Sequence, residues 1–177
     1  MKRGILGQIW VETAIYTLIG LTIIGIILSI ATPEIEKIKE RSIISQTIEA
    51  LNNLDGEIQK VSQSEGNVKI IDFKITKGKL DINSKDKKII YTLENSKLEF
   101  SEEGQEIKQG DITLKTEKVG KRFNIILELN YNNLDITFDK DNKLKTLHGA
   151  PSPYKLKIVN VGDNIVGGNI HLDFSLV

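Results

Sequence analysis

Thr13 to Thr32 reads TAIYTLIGLTIIGIILSIAT, a run without a single charge. At a rise of about 1.5 Å per residue it makes a helix of about 30 Å, the thickness of a bilayer's hydrocarbon core. Its apolar residues point in every direction around the axis, so no side is reserved for water. A soluble domain rarely buries so long a helix on all sides. The run therefore predicts a membrane-spanning helix, and the rest of the chain is read outward from it.

On the N-terminal side stand Lys2 and Arg3. Basic residues stay in the cytoplasm, which would put everything after Pro33 outside. Lys37, Lys39 and Arg41 beyond the run weaken that bias and are interleaved with Glu34, Glu36 and Glu40. One residue is out of keeping with a plain anchor. Glu12 follows Ile9, Trp10 and Val11 at the head of the apolar run. A carboxylate without a partner costs several kcal/mol at hydrocarbon depth. Either Glu12 lies at the interface beside Trp10, or a positive group meets it at the same depth. Cleavage after Gly7 would create such a group, the amine of Gln8.

The segment Gly7-Gln8-Ile9-Trp10-Val11-Glu12 resembles the processing site of type IV pilins, and most closely their archaeal branch with its class III signal peptide. In that family a short basic leader ends in Gly, and the fifth mature residue is a Glu opening a long apolar helix. Counted from Gln8, Glu12 is fifth, and the leader would be MKRGILG. Gln in first place also fits the archaeal members, whereas Trp10 stands where they often carry a small residue. The resemblance implies removal of the leader by a prepilin peptidase and packing of the helix with copies of itself or related pilins. It further implies a pilus assembly ATPase and a membrane platform as partners, with Glu12 acting in subunit assembly. Two other readings stay open. Ser29-Ile30-Ala31 has the form of a signal-peptidase site, although the apolar run is longer than a signal core. The chain could also be a single-pass anchored extracytoplasmic binding protein that never polymerises.

Past Thr32 the pattern becomes amphipathic. Ile35, Ile38, Ile44, Ile48, Leu51, Leu54, Ile58 and Val61 recur at helical spacing, while Glu36, Glu40, Lys37 and Arg41 read as a solvated side. Pro33 either opens this helix behind a Thr32 cap or lies inside a longer one. Ser64-Glu65-Gly66-Asn67 ends it. From Val68 the period drops to two. Strands are expected at Val68–Ile75, Lys79–Ile82, Lys88–Leu93, Lys97–Phe100, Asp111–Thr116, Phe123–Asn130, Leu134–Phe138, Lys143–Leu147, Tyr154–Val161 and Asn169–Leu176. Turn chemistry such as Lys77-Gly78, Glu103-Gly104 and Asp141-Asn142 separates them. The expected fold is α+β: a long N-terminal transmembrane and amphipathic helix, then an antiparallel β-rich head, a sandwich or meander. The divisions are a leader (1–7), a transmembrane helix (8–32), its external continuation (33–66) and an extracytoplasmic β domain (67–177).

Composition narrows the chemistry. The 177 residues carry no net formal charge, so nothing suggests a nucleic-acid partner. There is no cysteine, which removes disulfides, thiolate metal sites and thiol nucleophiles. His148 and His171 lack ligand spacing and read as ordinary strand residues. Asp139-x-Asp141-x-Lys143 lacks the Gly and Glu of a calcium loop and reads as a hairpin turn. Gly162 to Gly168 reads as a loop and not a phosphate cradle, since no helix follows it. No enzyme motif, cofactor or metal site is expected. The protein would sit in the membrane with its N-terminus cytoplasmic before processing, and in a cell-surface filament after assembly.

Overall fold

The structure is a computed structural model, and it describes residues 3–163 and 168–177. The side chains of residues 3–9 and of Asp163 lie outside the described part, as do Met1, Lys2 and residues 164–167 of the expected Gly162–Gly168 loop. The chain divides into two units, Met1–Lys39 and Glu40–Val177.

A single helix, α1 (Arg3–Ser62), runs through both units. Pro33 lies inside it, so the proline does not open a second helix. Thr32 is accordingly no cap: its hydroxyl donates to the Leu28 carbonyl one turn back, at 2.7 Å. Within the second unit the apolar stripe behaves as its spacing predicts. Ile44, Ile48, Leu51, Leu54, Ile58 and Val61 are all buried. Ile35 and Ile38, expected on the same face, are exposed in the first unit.

The helix ends on its own turn chemistry and on a distant side chain. Gly66 takes a positive φ of 79°, which a glycine reaches without steric cost. The Asn67 side-chain amide donates to the Lys60 carbonyl at 3.3 Å. Buried Asn160 donates to the Val61 and Ser62 carbonyls at 3.0 and 3.2 Å. Carbonyls at a helix end lack partners within the helix, so these donors replace water there.

Among the described residues ten strands follow: β1 (Val68–Phe73), β2 (Lys79–Asn83), β3 (Lys88–Ser96), β4 (Glu106–Gln109), β5 (Ile112–Val119), β6 (Arg122–Asn130), β7 (Leu134–Phe138), β8 (Leu144–His148), β9 (Tyr154–Asp163) and β10 (Ile170–Leu176). They form a four-stranded sheet ordered β1-β9-β10-β7 and a six-stranded sheet ordered β4-β5-β6-β3-β2-β8. Every pairing is antiparallel except β7 with β10. That parallel contact arises because β10 lies between β9 and β7. Alternation selects the inner faces: Ile112, Leu114 and Thr116 on β5, Ile125, Leu127 and Leu129 on β6, Ile89, Tyr91 and Leu93 on β3. One core joins these residues to the helix stripe and to Leu156, Ile158, Leu172 and Phe174 of the other sheet. The fold is α+β, a long apolar N-terminal helix followed by a β-rich head.

The expected strand at Lys97–Phe100 is absent, and β4 stands where none was expected. Side chains have displaced a strand partner from the first segment. The Lys97 amide donates to the Glu40 carboxylate at 2.9 Å, the Leu98 amide to Ser96 Oγ at 2.9 Å, and the Ser101 amide to Thr116 Oγ1 at 3.1 Å. Glu106–Gln109 hides because it is exposed on both faces, so its sequence carries no alternation. It is made by the Gly110 turn, with φ 66°, which folds it onto β5. β3 also runs past Leu93 through a shift of register before Ser96. Asn95 takes φ 58° there, and its amide donates to the Asn124 side chain at 3.2 Å.

Candidate functional site

The candidate feature is a stretch of helix whose apolar side chains are exposed among the described residues. Trp10 is 79% exposed, and Ile15, Tyr16, Leu18, Ile19, Leu21, Ile23, Ile24, Ile26, Ile27, Leu28 and Ile30 are exposed as well. These positions surround the axis. The most apolar window is wholly unburied, which separates it from the core helix of a soluble protein. In water, so large an apolar surface marks an interaction with lipid or protein.

Three hydroxyls of the run are satisfied by its own backbone. Thr17 donates to the Thr13 carbonyl and Thr22 to the Leu18 carbonyl, both at 2.8 Å, and Ser29 to the Ile26 carbonyl at 2.8 Å. A hydroxyl bonded to its own helix adds little cost in hydrocarbon, where a free donor would be expensive. Gly20 and Gly25 have open space where a Cβ would project, so no contact within the chain requires a glycine at either place.

Glu12 is exposed at the head of this run, and no described residue meets its carboxylate. The backbone of Gly7 and Gln8 belongs to α1, while the Gln8 side chain lies outside the described part. The geometry therefore leaves Glu12 available to a partner from outside the described chain.

Glu40 was expected on the solvated side with Glu36, and the structure corrects this: Glu40 is only 5% exposed. It stands one turn before Ile44, at the end of the buried stripe, and that i, i+4 spacing is the signal the sequence offered. Its carboxylate accepts from Lys77 Nζ at 2.7 Å, Ser96 Oγ at 2.8 Å and the Lys97 amide at 2.9 Å. Burial pushes its pKa up, but the bonds from Lys77, Ser96 and Lys97 outweigh that and hold it below the usual carboxylate range. Farther along the stripe, Asp55 accepts from the Tyr131 hydroxyl at 2.8 Å. Burial first, and then the Asp55 charge, push that phenol far up. Glu40 and Asp55 both tie helix to sheet, and both are occupied in doing so.

A groove of about 560 Å³ in the head is lined by Asp139, Lys140, Lys157, Val159, Val161, Asp173 and Ser175. At its edge Asp173 accepts from Thr137 Oγ1 at 2.6 Å and from the Lys140 amide at 2.7 Å. Thr137 Oγ1 also lies 2.8 Å from His171 Nε2. With its proton given to Asp173, the hydroxyl can only accept from the imidazole. A hydroxyl nucleophile needs the opposite, an imidazole that takes its proton. The carboxylate instead secures the turn Phe138-Asp139-Lys140-Asp141, in which Asp139 and Lys140 have φ 52° and 62°. The Phe138 amide donates to the Asp141 carbonyl at 3.0 Å and the Asp141 amide returns to Phe138 at 3.1 Å, a two-residue turn at the site read as a hairpin turn. His148 ends β8, exposed. Among the described residues no cluster of His, Asp and Glu is grouped to hold a metal ion.

No family model, curated protein or solved structure matches this chain. The functional reading rests on the uncovered helix. By length and composition it can cross a membrane, and a permanent anchor and a signal sequence both meet that description.

Proposed function

We propose that this chain is a structural subunit, a major or minor pilin, of a type IV pilus-like surface filament. It would be made as a prepilin and cleaved between Gly7 and Gln8. The observation that carries the reading is the pairing of a complete head with a helical surface left bare. The apolar core closes around the helix from Ile44 onward and includes none of the described residues before it. That bare segment opens with a carboxylate, Glu12, which a lone lipid anchor has no use for. In an assembly, a neighbour's Gln8 amine answers Glu12, and the apolar surface packs against copies of itself. The chain contributes no catalysis. A prepilin peptidase, an assembly ATPase and a membrane platform act on it.

The mature N-terminus, read by mass spectrometry, tests this. Gln8 is the expected first residue. A chain starting at Met1 would replace the filament by a plain anchored binding protein, and one starting at Thr32 would make the run a secretory signal. Gly7→Val should accumulate as full-length precursor in the membrane, because the peptidase needs an unhindered backbone at the cut. Processing of that variant at the normal rate would reject the site.

A further inference from the structure

The six-stranded sheet ends on two open strands of opposite charge. β4 pairs only with β5, and all four of its residues are exposed. From Glu99 to Asp111, the strand and its approach carry Glu99, Glu102, Glu103, Glu106 and Asp111 against the single Lys108. β8 pairs only with β2. From Lys140 to His148 it carries Lys140, Lys143 and Lys145 against the single Asp141. Partners within the head take up part of this charge, since Glu106 stands opposite Lys115 of β5 and Glu102 accepts from Gln105, but the rest is loosely held. Glu103 reaches Lys118 only at 3.9 Å, Lys143 reaches Asp141 at 3.6 Å, and Lys145 lies over the Phe138 ring at 5.2 Å. Each edge also presents an exposed aliphatic residue, Ile107 at 47% and Leu144 at 57%.

The backbone of β8 is poised outward. The Ser84 amide bonds the Lys143 carbonyl and the Gly149 amide bonds the Gly78 carbonyl. In an antiparallel ladder, bonded pairs alternate, so those two bonds put Lys145 and Leu147 toward β2. The amides and carbonyls of Leu144 and Thr146 then face the open side. Strand direction fits as well. All five pairings in the sheet are antiparallel, so β4 and β8 run in opposite senses. A second copy placed beside the first in the same orientation presents its β4 antiparallel to the first copy's β8.

We infer that β4 of one copy docks on β8 of the next, joining heads through an acidic and a basic edge. The occupant of each edge is a second copy of this chain. Like edges repel, β4 from β4 and β8 from β8, which is how charged edges keep sheets from pairing wrongly. Unlike edges attract, and the contact is heterologous, so each copy keeps one free edge of each kind and the array can extend. Exposed charge pairs are individually weak and screened by salt. The contact therefore acts where heads are already held close, as side-by-side membrane helices would hold them. It involves the head alone and does not rest on processing at Gly7.

The lack of native cysteine makes the test clean. Lys108→Cys on β4 and Leu144→Cys on β8 are introduced singly and together into the full chain, in cells carrying the assembly machinery. Membranes and sheared filaments are treated with a short bismaleimide. Five strand spacings of about 4.8 Å separate the two edges of one sheet, too far for a link within one copy. The double variant should give a ladder of dimers, trimers and higher species, and each single variant should stay monomeric. The ladder should fade in high salt and in Glu102→Lys/Glu103→Lys/Glu106→Lys, and return when Lys143→Glu/Lys145→Glu are added. Dimers from one single variant would show a two-fold contact and overturn the inference, as would the lack of a ladder in both fractions. N-terminal masses on the same samples separate the two readings. A ladder on chains starting at Met1 keeps the edge contact and rejects the filament, whereas filaments starting at Gln8 without a ladder reject the edge contact alone.

Discussion

Glu40, one turn before Ile44, has three donors around a buried carboxylate, and Glu12, at the head of the same helix, has none among the described residues. The first predicts a loss of stability. Glu40→Ala removes the carboxylate from the Lys97 amide and from Lys77, and should lower the head's stability by about 2 kcal/mol in thermal or urea melts. The pH dependence follows from the direction of its shift. The folded pKa lies below the reference value of 4.5, so the carboxylate's contribution is full above about pH 4.5 and is lost as pH falls through the folded value. The stability gap between wild type and Glu40→Gln should stay constant from pH 7 to 5 and narrow below that. A gap that closes already at pH 6 would remove Glu40 as its source. On the proposed function Glu12 predicts the reverse, no change in the melt and a failure of assembly. Glu12→Ala should be cleaved after Gly7, yet strand the Gln8 amine in the filament, at roughly 3–5 kcal/mol for a buried pair. Cleaved Glu12→Ala recovered in sheared filaments at wild-type yield would return Glu12 to a place at the lipid interface.

At the scale of the element, α1 holds two kinds of apolar residue that composition does not distinguish. Leu54 is fully buried and Ile38 is 68% exposed. Leu54→Ala should cost about 2–5 kcal/mol as a cavity opens in the core, while Ile38→Ala should shift the melting of the head by less than about 0.5 kcal/mol. Equal effects in detergent-solubilised protein would mean that the helix packs along its whole length. The strands show how much the sequence made legible. Where one face is buried, as on β2, β3, β5, β6 and β7, alternation located the strand to within a few residues. Where neither face is buried, as on β4, no alternation existed to be read. The misread segment, Lys97–Phe100, has the apolar spacing of a strand, because Leu98 does point into the core. Its backbone partners, however, are the side chains of Glu40 and Ser96, which no local pattern reveals.

For the whole molecule, the compact unit Glu40–Val177 includes the helix stripe as one of its walls. A fragment starting at Pro33 keeps that wall and omits the bare run. In dilute solution it should be soluble and monomeric by light scattering, since the edge contact alone is weak without a tether. A fragment from Asn67 lacks Ile44 to Val61 and should expose the core and aggregate. Large oligomers of the Pro33 fragment would move the main self-association surface from the helix to the head. The sequence by itself determined the uncharged span, the Glu at its head, the change to an amphipathic stripe and the switch to a period of two. Each of these is a local matter of hydropathy and spacing along one element. Only the tertiary structure decided that Glu40 is buried, that Asn160 caps a helix end lying 98 residues earlier in the chain, and which strands became edges. Those depend on which distant segments meet, and pairing between distant segments is settled by the closing of the common core, not by the residues next in line.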